Sequence, residues 1–411
     1  MVGRGKIRLK GLDRKLLVPI ALCFLASVLC FLDRVNISVA APAMMQHFGW
    51  DESRMGLVFS AFFAGYVIFM IPGGIMADRY GARPVLIGAV LFWSLFTFVN
   101  PFFATIGTVS LCRYLIGTGQ AVFWPAVNSL VARRVPLYHR AKVLGFILSG
   151  VTVGSIIGFP LGSWIIKVWG WPAVFYSFGL IGFLWTVLWM TTFPRQEGGA
   201  AEQGARNHET IPWKRFLTHS SAMGLALSYF CHNYGGYLFL VWMPTYLMKA
   251  HGFSLTAMGI GAALPSLAAG ISMNLSGWLS DYLIGRGYSR EFSRKLLLFA
   301  GMGGSGMLLG TLIWADNPVL AVVLLTFSSA AKGLSTPVYW ALSADMAPRH
   351  AGVLSSIMNT LGNVAGIVAS ILTGWIVARF ASWNGAILVG ALITLAGVAI
   401  AAPTVRSDEI S

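Results

Sequence analysis

Charged residues are scarce in this chain of 411 residues, where they make up 10% of the sequence against 56% for hydrophobic residues. A soluble domain carries about 25% charged residues. The composition therefore excludes a soluble globular enzyme and indicates a protein that crosses a membrane many times. Long polar segments are also scarce, and the only one runs from 194 to 218.

Cysteine spacing and nucleotide-binding motifs give no sign of a cofactor. Cys23, Cys30, Cys112 and Cys231 lie in apolar segments without C-x-x-C spacing, which argues against disulfides and thiolate metal sites. The sequence has no P-loop, and the G-x-G-x-x-G run at 301–306 lacks a preceding strand, so helix packing is its better interpretation. We expect no cofactor, no metal site and no enzymatic activity.

Acidic residues are the rarer charge, 14 against 29 Lys and Arg, and the formal net charge is +15. The basic residues are spread over short connections, so we expect no nucleic-acid partner. Connections between apolar segments alternate between the two sides of the membrane, and most basic residues lie on the side that holds both termini. The connections on the other side hold only Arg54, Lys167, Lys249 and Arg379. The positive-inside rule predicts cytoplasmic N- and C-termini. We expect a bacterial-type inner membrane, or an intracytoplasmic membrane derived from it.

Twelve apolar windows are each long enough to cross a hydrocarbon core ~30 Å thick. They lie near 16–45, 54–77, 84–103, 107–132, 141–167, 172–193, 219–247, 255–280, 295–314, 318–341, 351–378 and 383–403. We predict an all-α membrane protein with twelve transmembrane helices in two pseudo-symmetric bundles. The predicted divisions are an N-terminal bundle 1–193, a cytoplasmic linker 194–218 and a C-terminal bundle 219–411.

The two predicted halves share a loop pattern. Asp78 and Arg83, which follow the second window, recur at the same spacing as Asp281 and Arg286 after the eighth window. Duplicated halves with a central site are the plan of secondary transporters. The sequence therefore predicts a transporter whose substrate site lies between the halves.

Only one acidic residue, Asp33, is placed at membrane depth, and the cations at that depth are Arg34, Arg113 and Lys332. A charge in the bilayer costs at least ~2.5–3.5 kcal/mol on insertion scales, so such residues are functional candidates. If all four groups are ionised and face one cavity, cations outnumber the acid. An excess of positive charge favours an anionic substrate.

Two arrangements are predicted among these charges. Asp33 and Arg113 lie at compatible depths, so we expect them to pair at rest and to leave Arg34 freer to bind a substrate carboxylate. Arg113 and Gln120 are two turns apart on one helical face, which continues to Trp124. This polar stripe is expected to face the interior of the bundle.

Further polar groups occur in the second half. Lys332 lies near the middle of the tenth window, where it either contacts the substrate as a second cation or has a structural role at a helix-end carbonyl. His232 and Asn233 form a polar pair in the seventh window. With an unperturbed pKa of ~6.5, His232 is a candidate for proton transfer, and packing is the alternative.

The segment from Gly74 to Arg83 reads G-x-x-x-D-R-x-G-x-R, and in this it resembles the major facilitator superfamily. In that family the pattern lies between the second and third helices, and its acidic residue latches the halves through helix ends and arginines. The resemblance implies a conformational latch formed by Asp78, Arg79, Arg83, Asp281 and Arg286.

Within that superfamily the chain is similar, over nearly its whole length, to the anion:cation symporters, which include sugar-acid, phthalate-type and sialin-like transporters. The similarity rests on the stretches 31–42, 65–74, 113–126, 242–247 and 359–366. Together with the charges at depth it gives ten candidate substrate-binding residues, namely Arg34, Asn36, Tyr66, Arg113, Gln120, Trp124, Asn233, Lys332, Asn359 and Asn363.

Two positions depart from the family pattern. Gln120 stands where proton-coupled members usually carry glutamate, and Met70 stands where many members carry glutamine. With Asp33 as the sole acid at depth, we predict proton-coupled symport through Asp33, with His232 as the second candidate for proton transfer. Facilitated diffusion or exchange without a proton is the alternative.

The predicted function is secondary active transport of a small organic anion by alternating access, by a monomer in the lipid bilayer. The proton is the predicted coupling ion. A transporter of an anionic metal complex or a drug is an alternative. A scaffold or sensor that has lost transport is a further one.

Overall fold

The computed structural model describes residues 14–193, 213–348 and 350–405. Every regular element within these ranges is helical, and two short 3₁₀ turns, Asn100–Phe102 and Leu312–Trp314, occur beside the α helices. The α helices are α1 (Arg14–Phe48), α2 (Glu52–Tyr80), α3 (Ala82–Val99), α4 (Ile106–Ala121), α5 (Phe123–Arg134), α6 (Leu137–Trp169), α7 (Trp171–Thr192), α8 (Trp213–Thr218), α9 (Ser220–His251), α10 (Leu255–Gly285), α11 (Arg290–Thr311), α12 (Pro318–Met346), α13 (Ala351–Phe380) and α14 (Trp383–Thr404).

Ten helices in the described ranges are long and apolar enough to cross a membrane. They are α1, α2, α3, α6, α7, α10, α11, α12, α13 and α14. The seventh predicted window corresponds to α9, and the fourth corresponds to α4 and α5 together. The twelve predicted windows therefore all have helical counterparts, and the all-α fold is confirmed.

The fourth predicted window, 107–132, is divided at Val122, where the helical hydrogen-bond pattern is interrupted although the Val122 backbone itself stays in the αR region. Pro125 supplies the physical reason. A proline ring clashes with the carbonyl of the residue four positions earlier and lacks an N–H, which breaks or kinks a helix. That earlier residue is Ala121, where α4 ends.

The predicted linker 194–218 contains one described element, the short helix α8 at its end. The rest of the linker, 194–212, lies outside the described residues, as do residues 1–13 of the basic N-terminal segment. Below, "first half" means residues 14–193 and "second half" means residues 213–405.

Very short connections hold consecutive helices close together. Gly81 alone separates α2 from α3, and Gly170 alone separates α6 from α7. Both glycines have positive φ, 80° and 83° respectively. Glycine adopts such angles without the steric cost that a Cβ brings, so each helix can end and the next begin within one residue.

Each half packs mainly within itself, with α1 on α6, α2 on α4 and α3 on α7 in the first half. In the second half α9 packs on α13 and α14, and α12 packs on α10 and α11. The halves meet where α2 lies against α13, α6 against α10 and α1 against α9. These contacts place α1, α2 and α9 around the middle of the molecule, where the charged residues lie.

Polar contacts join the halves at one end of the molecule, which we call the Glu52 end. There the Lys249 ammonium lies 2.6 Å from the Glu52 carboxylate, and Lys167 Nζ lies 3.4 Å from Thr256 Oγ1. The opposite end carries Asp78 and is called the Asp78 end. The ion pairs at the Asp78 end, Asp78 with Arg133 and Arg294 with Asp345, each lie within one half.

Candidate substrate site

The first half of the candidate site depends on a close contact between α2 and α4. A Cβ atom at Gly65 would run into the Tyr114 carbonyl oxygen, and one at Gly117 would run into the Phe62 carbonyl oxygen. The two backbones touch only because both positions are glycine. The contact places the Phe62 ring on α2 beside Arg113 on α4.

The Arg34 guanidinium is enclosed by aromatic rings and a neutral amide. Its Cζ lies 4.8 Å from the ring centroids of Phe31 and Tyr66 and 5.0 Å from that of Phe62. Its Nε donates to Gln120 Oε1 at 3.2 Å, and Gln120 Nε2 donates to the Cys30 carbonyl at 3.2 Å. Gln120 therefore fixes Arg34 without neutralising its charge, and the side-chain face that remains can accept an anion.

Arg113 and Asp33 are neighbours that interact electrostatically, as predicted, but their side chains form no close salt bridge. Arg113 Nη1 donates to the main-chain oxygen of Asp33 at 3.2 Å, and no ion pair between the two side chains occurs within the described ranges. Both residues are buried, with exposures of 1% for Asp33 and 2% for Arg113. The Arg113 Cζ lies 5.1 Å from the Phe62 centroid, so Phe62 contacts both guanidinium groups.

Neutral donors surround the Asp33 carboxylate. Asn36 Nδ2 lies 3.5 Å from Asp33 Oδ1, and the Trp93 and Thr97 side chains of α3 lie near the same carboxylate without a well-formed hydrogen bond to it. Sequence reasoning missed Trp93 and Thr97 because it considered charged groups only. Their spacing of four on one face of an apolar helix is a signal that would have found them.

The second half contributes a ring of polar groups that faces Arg34. Tyr237 on α9 interacts with Arg34, and its hydroxyl donates to Asn363 Oδ1 at 2.9 Å. Asn363 Nδ2 donates to the Asn359 carbonyl at 2.8 Å. The Asn359 amide in turn lies 3.4 Å from the Met70 sulfur on α2, a contact that joins the halves near the middle.

Lys332 is half-buried in the middle of α12 and points at α9. A Cβ added to Gly236 would overlap the Lys332 ammonium, so the absence of a side chain at Gly236 makes room for it. Among the described residues, this ammonium group has no hydrogen bond or ion pair. Within the described ranges it is thus a cation in a membrane-spanning helix without a hydrogen-bonding or ion-pair partner.

His232 links α9 to α12 through both ring nitrogens. Nδ1 lies 3.3 Å from Ser335 Oγ and Nε2 lies 3.2 Å from Thr336 Oγ1. Both hydroxyls also donate to the Lys332 carbonyl, at 2.8 Å and 3.2 Å. The ring is 1% exposed. His232 therefore sits in a network that orders the Lys332 turn, and its neighbour Asn233 lies against Gly362 of α13.

Trp124 lies in the first turn of α5. It follows the break at Val122, and its half-buried ring lies 5.1 Å from that of Phe123. A cavity of about 380 Å³ also lies elsewhere, at the Glu52 end between α1 and α9. Its lining is Pro42, Met45, Gln46, Trp50, Met248 and Lys249, which includes none of the predicted substrate-binding residues.

The predicted latch residues are engaged within their own halves. The Asp78 carboxylate lies 3.8 Å from Arg133, and Arg83 donates to the carbonyls of Met190 and Phe193 at 3.2 Å and 2.8 Å. Arg79 lies against the ring of Tyr80 and Arg286 against that of Tyr282. Asp281 interacts with Arg294. In the part of the chain that the structure describes, none makes a polar contact with the other half.

Known proteins resemble the chain in sequence. The family model described as Major Facilitator Superfamily matches residues 23–289. The chloroplastic ascorbate transporter of Arabidopsis thaliana is 34% identical over 398 residues, which cover 93% of this chain and 73% of that protein. The hexuronate transporter of Bacillus subtilis (strain 168) is 32% identical over 389 residues, which cover 92% of each protein. The resemblance predicted from the loop and helix motifs is confirmed.

A solved structure supports the fold independently. A bacterial homologue of the human lysosomal transporter Spinster, crystallised in an inward-facing and occupied conformation, superposes with a TM-score of 0.77. The two sequences are 20% identical, and the match covers 93% of each chain. At this identity the likeness shows a shared fold and leaves the solute to be argued from the residues of the site.

Proposed function

The chain belongs to the major facilitator superfamily and is a multi-pass membrane transporter rather than an enzyme, and we propose that it moves a small organic anion coupled to a proton. The observation that carries the anion proposal is Arg34. This guanidinium is 7% exposed, is held by the neutral Gln120 and has no carboxylate partner among the described residues. A buried cation without a counter-ion favours a ligand that supplies one.

The relatives support an acidic organic solute. Hexuronate and ascorbate, the solutes in the names of two relatives, are both organic acids with several hydroxyl groups. Hydroxyl and amide groups of the candidate site, from Tyr66, Tyr237, Asn359 and Asn363, suit a polyhydroxylated anion. In this proposal Arg34 binds the carboxylate, and Arg113 and Lys332 supply further positive charge.

Asp33 is the proposed proton site. It is the only acidic side chain in the interior of a described transmembrane helix, and donors of Asn36 and α3 surround it beside Arg113. Protonation removes a negative charge next to the cations, which strengthens anion binding. By linkage, the bound anion then favours the protonated site. His232 is the second proposed site for a proton, linked to Lys332 through Ser335 and Thr336.

The proposed mechanism is alternating access between two bundles, 1–193 and 219–411. The polar contacts at the Glu52 end hold the halves together there, whereas the ion pairs at the Asp78 end each lie within one half. With the Glu52 end outside and both termini in the cytoplasm, this is an arrangement open toward the cytoplasm. Asp78, Arg79, Arg83, Asp281 and Arg286 are proposed to change partners when that end closes. We propose a monomer in a bacterial-type inner membrane.

The test is glucuronate uptake by purified protein in proteoliposomes with an imposed pH difference. We expect uptake by the wild type to rise with an inward proton gradient. Arg34→Gln abolishes uptake, because the anion loses its counter-ion. Asp33→Asn removes the response to the gradient. Arg379→Gln and Asp316→Asn, at exposed positions away from the site, serve as controls that keep wild-type uptake.

Three outcomes contradict parts of the proposal. Unchanged affinity in Arg34→Gln removes Arg34 from the site. Substrate-dependent proton uptake in Asp33→Asn shows that the proton takes another route. Wild-type uptake that ignores the pH difference favours facilitated diffusion or exchange, the alternative that Gln120 suggested. Failure to take up any organic anion or anionic metal complex favours the scaffold or sensor.

A further inference from the structure

Lys332 is an unusual cation for the middle of a membrane-spanning helix. The groups nearest its turn are neutral hydrogen-bonding partners, Ser335 and Thr336, which use the Lys332 carbonyl and not its ammonium. Charged side chains in a transmembrane helix face the interior of the bundle or a cavity, where they pair or contact a transported solute. Since no described residue pairs with Lys332, the partner is expected to come from outside the protein.

The Lys332 ammonium and the Arg34 guanidinium are each associated with one of two consecutive residues of α9. Lys332 lies against Gly236, whereas Arg34 interacts with the adjacent residue, Tyr237. Arg34 comes from α1 in the first half, and Lys332 comes from α12 in the second half. A ligand seated at these two residues therefore has one cation from each half beside it.

The charged side chains at the site in each half indicate how many negative charges a ligand must supply. In the first half Asp33, while ionised, offsets one of the two guanidinium groups, Arg34 and Arg113, which leaves one net positive charge, and protonation of Asp33 leaves two. A single carboxylate at Arg34 therefore balances no more than the charge of the first half. Lys332 adds a second positive charge in the second half, and a monoanion leaves it uncompensated at membrane depth.

We infer that the transported solute is a dianion, with one anionic group bound at Arg34 and the other at Lys332, so that it spans the two halves. This inference rests on the proposed anion transport and adds the number of charges on the solute. It makes Lys332 the residue that selects dianions over monoanions. Gly236 has a supporting role, because only glycine leaves room for the ammonium at that position.

The test uses matched pairs of ligands that differ in one carboxylate. Galactarate and galactonate form one pair, and succinate and 4-hydroxybutyrate form the other. Binding of each to the purified full-length protein is measured by titration. We expect the wild type to bind each dianion on the order of tenfold more tightly than its monoanion, the effect of one additional charge pair.

The variant Lys332→Met isolates the second cation. We expect it to bind galactarate on the order of tenfold more weakly than the wild type and to bind galactonate as the wild type does. Retained galactonate binding shows that the variant is folded. Lys142→Met removes an exposed lysine near Tyr138 and is the control that keeps the preference.

Each outcome separates this inference from the proposed function. Equal affinity of the wild type for both members of each pair overturns the inference and leaves anion transport standing. Equal loss of galactonate and galactarate binding in Lys332→Met, with an unchanged melting temperature, makes Lys332 a general anion contact and also overturns it. If the wild type binds no organic acid at all, the proposed function itself fails.

Discussion

The part of the site formed by the first half, which we call the first wall, contains the guanidinium groups of Arg34 and Arg113. Both lie against the ring of Phe62, and both are hydrogen-bonded. The part formed by the second half, which we call the second wall, contains Lys332. Its ammonium lies against Gly236 without a polar partner in the described ranges. Cation–π contacts contribute about 0.5–2 kcal/mol each and fix a guanidinium in place. The first wall is thus preorganised, and the second holds a cation that can move to meet a ligand.

This difference shows that the two halves share a plan but not a charge distribution. The loop residues Asp78 and Asp281 occupy corresponding positions, and each interacts with an arginine of its own half. At the depth of the site, however, the first half has an acid and two arginines, and the second half has one lysine and a histidine. A duplicated scaffold therefore carries an asymmetric site, with a rigid anchor on one side and an adjustable contact on the other.

The largest expected effect comes from Gly117→Ala, which disrupts the contact between α2 and α4 that supports the first wall. The new methyl group meets the Phe62 carbonyl, so α2 must move away from α4 and Phe62 from Arg113. Overpacking of this kind typically costs about 1–3 kcal/mol. We expect a loss of unfolding free energy of that order and no measurable glucuronate binding, as followed by thermal unfolding and titration.

Gly107→Ala is the matched control for this change. Gly107 lies on the same helix, α4, but a Cβ there meets open space. We expect wild-type stability and binding in this variant. If Gly117→Ala also binds glucuronate normally, the arginines do not depend on the contact between α2 and α4.

A smaller effect is expected when Gln120 becomes glutamate. The new carboxylate lies beside Arg34 and supplies the negative charge that the substrate is proposed to bring. We expect glucuronate affinity to fall on the order of tenfold at neutral pH and to recover as acid protonates the side chain. Titrations between about pH 5 and pH 8 measure this dependence.

The control for Gln120→Glu is Gln46→Glu, at an exposed position near the Glu52 end. It adds the same charge away from Arg34, so its binding should follow the wild type at every pH. A Gln120→Glu variant that behaves like the wild type would mean that Arg34 does not hold the anion.

The smallest effect is expected on the second wall, from Gly236→Ala. Its methyl group displaces only the end of the flexible Lys332 side chain, so the fold should be unaffected. We expect galactarate affinity to fall about threefold, less than in Lys332→Met, with galactonate unaffected. Gly303→Ala, where a Cβ meets nothing, is the control. A larger loss than in Lys332→Met would mean that Gly236 acts through something other than the ammonium.

The sequence predicted the helical windows well because hydrophobicity is a local property of the chain. It did not predict the interruption of the fourth window at Val122, although Pro125 was available as a signal. It also placed Trp124 with Arg113 and Gln120 on one continuous stripe. The interruption at Val122 lies between Gln120 and Trp124, and that stripe was drawn on an uninterrupted ideal helix.

The sequence identified the charged residues of the site but not their partners. Matching depths suggested a side-chain pair between Asp33 and Arg113, whereas the structure joins Arg113 to the Asp33 main-chain oxygen. Which oxygen an arginine reaches depends on the rotation and approach of two helices, and a depth estimate contains neither. The same limit applies to Gly236, because its role appears only when α12 is placed against α9.

The buried cysteines described from the sequence have a practical consequence for following the transport cycle. Cys23, Cys30, Cys112 and Cys231 are all free thiols with buried side chains. A water-soluble maleimide reacts with exposed thiolates, so these four should give little background labelling. A single cysteine introduced along α2 near the Asp78 end would then report directly, by its labelling rate with and without solute, on which face of the membrane the central passage is open to.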